Sequence, residues 1–316
     1  MGRDKDRKNA MPHIPLTLGI ELETVVEGRS PEILYLIKQA LDAKQFPASV
    51  SLDPRFTVID TKSWVIKQDD SIEPDLGLPP GINRAGVELV SPILNDVLFG
   101  STSATWRALL EEVLTAIYER GIRYTTNEST GLHLHVALAI RIQDRLWPLD
   151  VLKKIATIVV LYEVQIDMFH PPSRGGGSGN STNLYAASIR RNANFDGYYR
   201  DKGEDEADTA SVSPIWRTQT QNELQSLMNP ISNETRGRNR RYYKVNFMAI
   251  DTHGTLEFRQ HEGTVAHRVI CAWADFVLAL VRYGFAAKES EVRHLPREKK
   301  PLQDIVGDKV FRRMKE

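Results

Sequence analysis

The sequence predicts an α+β protein, and three observations carry that prediction. Several short runs alternate apolar and polar residues with a period of two. A few longer segments repeat apolar residues at helical spacing, and no regular strand-helix-strand alternation links the two kinds.

In chain order, residues 1–13 read as a charged, solvated tail, and Ile14 to Val26 (IPLTLGIELETVV) alternates as a strand. Ser30-Pro31 then caps a helix, with Pro31 in its first turn and Ile33, Leu34, Ile37 and Leu41 on one face. Further strands are predicted at 56–67, 86–94, 122–127, 132–140, 242–250 and 254–261, and longer helices at 102–120, 149–169 and 264–284. Two stretches carry turn-forming or charged residues without periodicity. PPSRGGGSGNST (171–182) has the composition of a flexible lid or clamp, and RDKGEDEADTASVSP (200–214) that of an acidic surface insertion. Both sit inside one predicted domain, 14–290, which a charged C-terminal segment, 291–316, follows.

Composition narrows the function. Lys plus Arg equals Asp plus Glu at 41 each, so no global field selects nucleic acid or an anionic membrane, and 41% hydrophobic residues supply a sizeable core. The single cysteine, Cys271, lies in the apolar run VICAWADFVLALV and forms no intrachain disulfide. The N-terminal residues have no apolar leader, Asp6 stands where a myristoylation signal needs Ser or Thr, and charges interrupt the apolar stretches. A cytoplasmic protein is expected.

The chemistry lies in what the strands place on one face. Residues two apart on a strand share a face. GIELE therefore projects Glu21 and Glu23 together, GVELV projects Glu88 against Val87 and Leu89, GLHLHV projects His133 and His135, and GTLEFRQH projects Glu257, Arg259 and His261. Ordinary solvent faces mix Thr, Lys, Ser and Gln, whereas these hold metal-ligand types and one Arg. If the faces converge with Asp69, five carboxylates meet in one concavity and need cations, on the order of two or three divalent ions. Hard oxygen donors with one or two imidazoles favour Mg²⁺ or Mn²⁺, with a His-x-His zinc site as the competitor.

The segments GIELE, WVIKQDDSI, GVELVSPIL, STGLHLHVAL, KVNFMAI and TLEFRQHEGT, in this order from about Gly19 to Tyr283, resemble the amidoligase family. The histidine strand and the Glu-x-Arg strand are also similar to glutamine synthetase. The resemblance implies a glutamine synthetase-like catalytic domain: a curved, mostly antiparallel sheet with a polar concave face and helices on the other side. It implies ATP and Mg²⁺ (or Mn²⁺) as cofactors, and small-molecule or peptide carboxylates and amines as substrates. It further implies that Glu21, His133 and Glu257 hold the metal nearest the transferred phosphoryl group, and that Glu23 and Glu88 hold a second. Arg259 then faces the γ-phosphate, with Glu257 and Arg259 at the catalytic centre, and His135 contacts nucleotide phosphate or substrate.

The family reads Asp-Gly-Ser where this chain has Asp69-Asp70-Ser71, so Asp69 matches better and Asp70 stays open. Arg174 in the Gly-rich stretch, Asn246 on the polar side of its strand, and His261 are further candidates for binding nucleotide or substrate. Arg190, Arg191 and the run RGRNRR (236–241) read as solvated basic residues that also suit an acidic substrate. The implied reaction is ligation through an acyl phosphate, which needs positioning and charge neutralisation more than a protein nucleophile. A metal-dependent hydrolase on the same residues, or a binding protein that keeps the fold, are the alternatives.

Overall fold

The computed structural model describes residues 14–52, 62–96, 105–139, 147–175, 185–200, 202–231, 240–298 and 300–316. Among them, nine strands join one sheet: β1 (Leu16–Glu27), β2 (Ala48–Ser51), β3 (Trp64–Gln68), β4 (Arg84–Val90), β5 (Leu94–Asp96), β6 (Tyr124–Thr125), β7 (Gly131–Leu138), β8 (Val245–Asn246) and β9 (Leu256–Glu262). The order is β2-β3-β4-β1-β7-β9-β8, with β5 and β6 also pairing with β1, and only β2–β3 is parallel. The helices are α1 (Glu32–Ala43), α2 (Trp106–Glu119), α3 (Leu149–Leu161), α4 (Glu163–Asp167), α5 (Asp196–Arg200), α6 (Glu204–Arg217), α7 (Gln221–Met228), α8 (Ala249–His253), α9 (His267–Ala286), α10 (Glu289–Glu298), α11 (Leu302–Val306) and α12 (Asp308–Arg313). The fold is α+β with a mixed, mostly antiparallel open sheet, as its period-two and period-3.6 segments predict.

The alternation that defines β1 also decides which way the sheet faces. Leu16, Leu18, Ile20 and Leu22 are buried on one side, joined by Ile66, Val87, Leu89, Leu132, Leu134, Val136, Leu256 and Phe258 from neighbouring strands. Each such side chain contributes about 1.5–3 kcal/mol when fully buried. The central helix of this core, α9, buries Trp273, Phe276, Val277 and Leu280 and packs on α3 and β7. By length and composition α9 alone among the described residues could cross a membrane, although the sequence reading expected charges to interrupt every such run. In the fold 67% of its apolar window is buried against the protein.

Several elements differ from expectation for identifiable reasons. Ser30 does not cap α1, because its Oγ donates to Gln68 Oε1 (2.6 Å), and Pro31 occupies the N-cap position without a side-chain hydrogen bond. The run 86–94 splits into β4 and β5 at Ser91-Pro92, where Ser91 Oγ accepts the Ile20 N–H (2.9 Å) and Pro92 has no N–H for the ladder. Only Val245 and Asn246 of 242–250 are strand, since Asn246 Oδ1 accepts the Met248 N–H (2.9 Å) and turns the chain into α8. The helix expected at 149–169 breaks at Tyr162 into α3 and α4.

The acidic stretch 200–214 is no irregular surface insertion, apart from residue 201, which lies outside the described residues. Most of it belongs to α6, which buries Ala207, Ser211, Val212 and Ile215 and pairs Asp208 with Arg190 (3.0 Å). The charged segment 291–316 is largely helical as well, and Val292, Leu295, Leu302, Ile305 and Val306 join the core. The tail 1–13, residues 56–61 of the strand predicted at 56–67, the start of the 102–120 helix, residues 176–182 of the Gly-rich stretch and 236–239 of the basic run lie outside the described residues.

Candidate active site

Strand register collects the polar side chains into three rows on the face opposite the core. Lys67, Glu88 and Glu23 stand side by side on β3, β4 and β1. Glu21 on β1 and His133 on β7 form the next row, and His135, Glu257 and Asn246 on β7, β9 and β8 form the third. Gly19 is the β1 partner of His135, and a Cβ there would meet His135 Cβ at 3.3 Å, so glycine gives the imidazole its space.

Glu21 is the hinge between the rows. Its Oε2 lies 3.2 Å from His133 Nδ1 and its Oε1 3.2 Å from His135 Nε2, while His135 Nε2 is 3.8 Å from Glu257 Oε1. Glu21, His135 and Glu257 offer donor atoms that all lie within 4.8 Å of one another. His135 Nδ1 is 2.9 Å from Thr255 Oγ1, which leaves Nε2 for the cluster, and that buried nitrogen has no aligned hydrogen-bond partner. Two carboxylates and an imidazole nitrogen held by a partner on its far side suit a hard divalent ion such as Mg²⁺ or Mn²⁺. Glu21, Lys67 and His135 are the most exposed members of the set, at 22%, 19% and 12%, so the site opens beside them.

The remaining members are held by the fold. Arg259 donates through Nη1 to Glu257 Oε1 and through Nε to the Tyr185 carbonyl (3.1 Å), and Asn246 Nδ2 donates to the other Glu257 oxygen (2.6 Å). Glu23 Oε2 accepts the Gly131 N–H (2.6 Å). A Cβ at Gly131 would meet His133 Nε2 at 2.7 Å and both Arg174 Nη2 and Glu23 Oε2 at 3.1 Å, so this close approach requires glycine. Lys67 Nζ sits 2.8 Å from Glu88 Oε2.

The electrostatics agree with a site made for a cation. Burial raises the Glu21 carboxyl, but the His135 charge and the His133 hydrogen bond outweigh it and hold Glu21 well below the usual carboxylate range. Burial likewise opposes ionisation of Glu257, and the Arg259 guanidinium overrides it, to about 2. Glu88 goes the other way: burial and the Glu21 charge push it well above the ordinary value despite Lys67. Lys67 itself is raised, because the Glu88 and Glu21 charges overcome burial. The geometry is that of an ion pair, and the rise of Glu88 registers the negative charge that Lys67 alone does not cancel. Burial opposes a charge on His135, which the Glu21 and Glu257 carboxylates nevertheless raise above the ordinary imidazole value.

Of the residues singled out in the sequence, Glu21, Glu23, Glu88, His133, His135, Asn246, Glu257 and Arg259 meet on this face. Asp69 is half-buried at its edge, its charge acting on Lys67 and Glu88 while its Oδ1 accepts from Ser71, whereas Asp70 is exposed and bonded to Gln68. The set whose donor atoms all lie within 4.8 Å contains His135; His133, which the resemblance implied, stands almost as near, its Nδ1 3.2 Å from Glu21 Oε2, 3.9 Å from Glu257 Oε1 and 3.4 Å from Arg259 Nη1.

His261 is not in the site. The β7–β9 register shifts between Leu132 and Leu134, and the extra residue in β9 pairs His261 with the core residue Leu132. Its ring packs on His170 (5.0 Å) and Trp273 of α9 (5.5 Å), and burial lowers its pKa to about 4. Arg174 is not on a mobile loop either. It ends a 3₁₀ turn (Pro172–Arg174), is 2% exposed, and donates to the Thr130 carbonyl; burial lowers its pKa to about 10.

Sequence reasoning missed Lys67, although alternation in WVIKQDD puts it on the same face as Asp69 and opposite Ile66. It also missed Thr255 and His253, the latter edge-on to His135 at 5.7 Å. Arg190 is buried and bonded to the Val160 and Leu161 carbonyls (2.6 Å each), and is no solvated basic residue. The family described as "Putative amidoligase enzyme" matches residues 15–281, and no curated protein matches the chain.

Proposed function

The chain belongs to the amidoligase family, a family of ligase-type enzymes, and from that premise we propose that it joins a carboxylate to an amine at the expense of ATP, through an acyl phosphate and with Mg²⁺ or Mn²⁺. The observation that carries this reading is the Glu21–His135–Glu257 cluster, whose donor atoms all lie within 4.8 Å of one another and whose Glu257 takes the Arg259 guanidinium. The proposal includes a glutamine synthetase-like arrangement of the sheet, small-molecule or peptide carboxylates and amines as substrates, and a cytoplasmic setting.

Glu21, His135 and Glu257 would hold the divalent ion, which neutralises phosphoryl and carboxylate oxygens when bound. Asn246 and Arg259 fix both oxygens of Glu257. Arg259 presents a planar, permanently charged fork where charge develops on the transferred phosphoryl group. Arg174 backs Glu23 from the 3₁₀ turn, and Lys67 pairs with Glu88 beside it. Among these side chains there is no activated serine or cysteine. Cys271 lies on α9, away from this face, with its thiol pushed up to about 11 by burial.

The test is incubation of the purified protein with Mg²⁺-ATP and a panel of acids and amines. ADP and phosphate release that requires both an acid and an amine is the expected result. Hydrolysis of an amide without ATP would replace ligation with the hydrolase reading.

A further inference from the structure

The resemblance assigns Glu23 and Glu88 to a second metal ion, yet in this fold both carboxylates are already engaged. Glu23 Oε2 takes the Gly131 N–H at 2.6 Å, with the Arg174 guanidinium beside the same glycine. Glu88 Oε2 takes the Lys67 ammonium at 2.8 Å. Lys67, Glu88 and Glu23 are register neighbours on three adjacent strands, so the lysine is built into the row. The Glu21–His135–Glu257 set, in turn, brings its donor atoms within 4.8 Å of one another, with Glu21 22% exposed at the opening.

We propose that Lys67 occupies the place of the second metal ion, so that this site holds a single resident divalent cation, at Glu21, His135 and Glu257. The inference rests on the metal-dependent reading above and departs from the two-ion site that the resemblance implies.

Charge placement supports it. The Lys67 ammonium already sets a positive charge in the row that Glu88 and Glu23 share. A second ion there would have to displace an ammonium 2.8 Å from a carboxylate. Lys67 is among the more exposed members of the set, so its ammonium also faces whatever enters. At this end of the site an anionic group on the acid substrate would meet a fixed ammonium with up to three donors, whose charge does not depend on free metal concentration.

Manganese binding to the full-length protein without nucleotide, counted by electron paramagnetic resonance of free Mn²⁺ and by calorimetry, tests this. Wild type should bind one ion. Lys67→Gln, which removes the ammonium and keeps a polar side chain, should bind two, and Lys67→Arg should return to one. Two ions in wild type, or a single ion in a folded Lys67→Gln variant, would overturn the inference while leaving a metal-dependent ligase intact. No ion in wild type would remove the metal reading itself. Wild-type stoichiometry remains decisive even if the glutamine variant does not fold.

Discussion

Lys244 and Lys67 each stand among carboxylates, one beneath the turn that carries Arg174 and the other on the polar face of the sheet. Lys244 is fully buried, bonded to Asp167 and 3.4 Å from Glu163. Glu163 in turn accepts from Ser188 Oγ and from the Ile189 and Arg190 N–H groups (2.8 and 3.3 Å). Gly175, with φ +100°, lies so close that a Cβ would meet Lys244 Nζ at 2.9 Å. Around Lys67 the carboxylates outnumber the cations and the row opens to solvent. Orphaned atoms do not separate the two regions, since Asp167 Oδ1 and both ring nitrogens of His170 also lack partners. Access does separate them: the fully buried cluster supports the turn, while the Lys67 row opens to solvent and suits a ligand.

The strongest way to break this contrast is to remove ligands from the open cluster. Glu21→Ala and Glu257→Ala should each lower turnover by about 10³-fold or more, roughly 4 kcal/mol of barrier, with little change in melting temperature. A large fall in melting temperature would make the open cluster as structural as the closed one. Lys244→Met should do the reverse, costing about 3–5 kcal/mol of stability in denaturant titrations because it strands two buried carboxylates. A variant as stable as wild type would erase the distinction.

The closed side should also show itself in pH. His261 has a folded pKa near 4, depressed by burial from 6.5, so above about 6.5 it contributes nothing. As pH falls below 6.5 the unfolded chain takes up a proton that the folded chain refuses, and stability drops until the folded pKa is passed. The full loss is about 3 kcal/mol, and buried His170, also lowered, acts in the same direction. Urea titrations from pH 7 to 4 should show this slope, and His261→Gln should flatten it.

Arg259→Lys is the finest probe. It keeps the charge and loses the fork, so it should fold, bind Mg²⁺-ATP within about tenfold of wild type, and lose on the order of 10²-fold in kcat. Near-normal kcat with a depressed melting temperature would reassign Arg259 to the scaffold.

Strand periodicity made most of the site legible. Glu21, Glu23, Glu88, His133, His135, Glu257 and Arg259 all lie on the predicted face, because regular pleating converts sequence parity into direction. Parity fails where pleating does. One extra residue in β9 sends His261 to the core, and no residue type in TLEFRQHEGT announces that bulge. Lys67 was hidden by expectation, since a lysine on a strand ordinarily marks a solvent face. Which of His133 and His135 joins Glu21 and Glu257 depends on ring orientation, set by Thr255 and Arg259 from other parts of the chain. The helix hidden in 200–214 shows the same limit, because its acidic exposed side masks the small residues that pack.

β1 pairs with β4, β5, β6 and β7, so the backbone beneath Glu21 and Glu23 is laced into the sheet from both sides. Amide protons in such a strand exchange with solvent only when the molecule opens as a whole. Glu21 and Glu23 therefore ride on a strand expected to open only with the whole sheet. A cation held there couples to the melting of the entire chain, and at a hundred times its dissociation constant it should add about 2.7 kcal/mol to global stability.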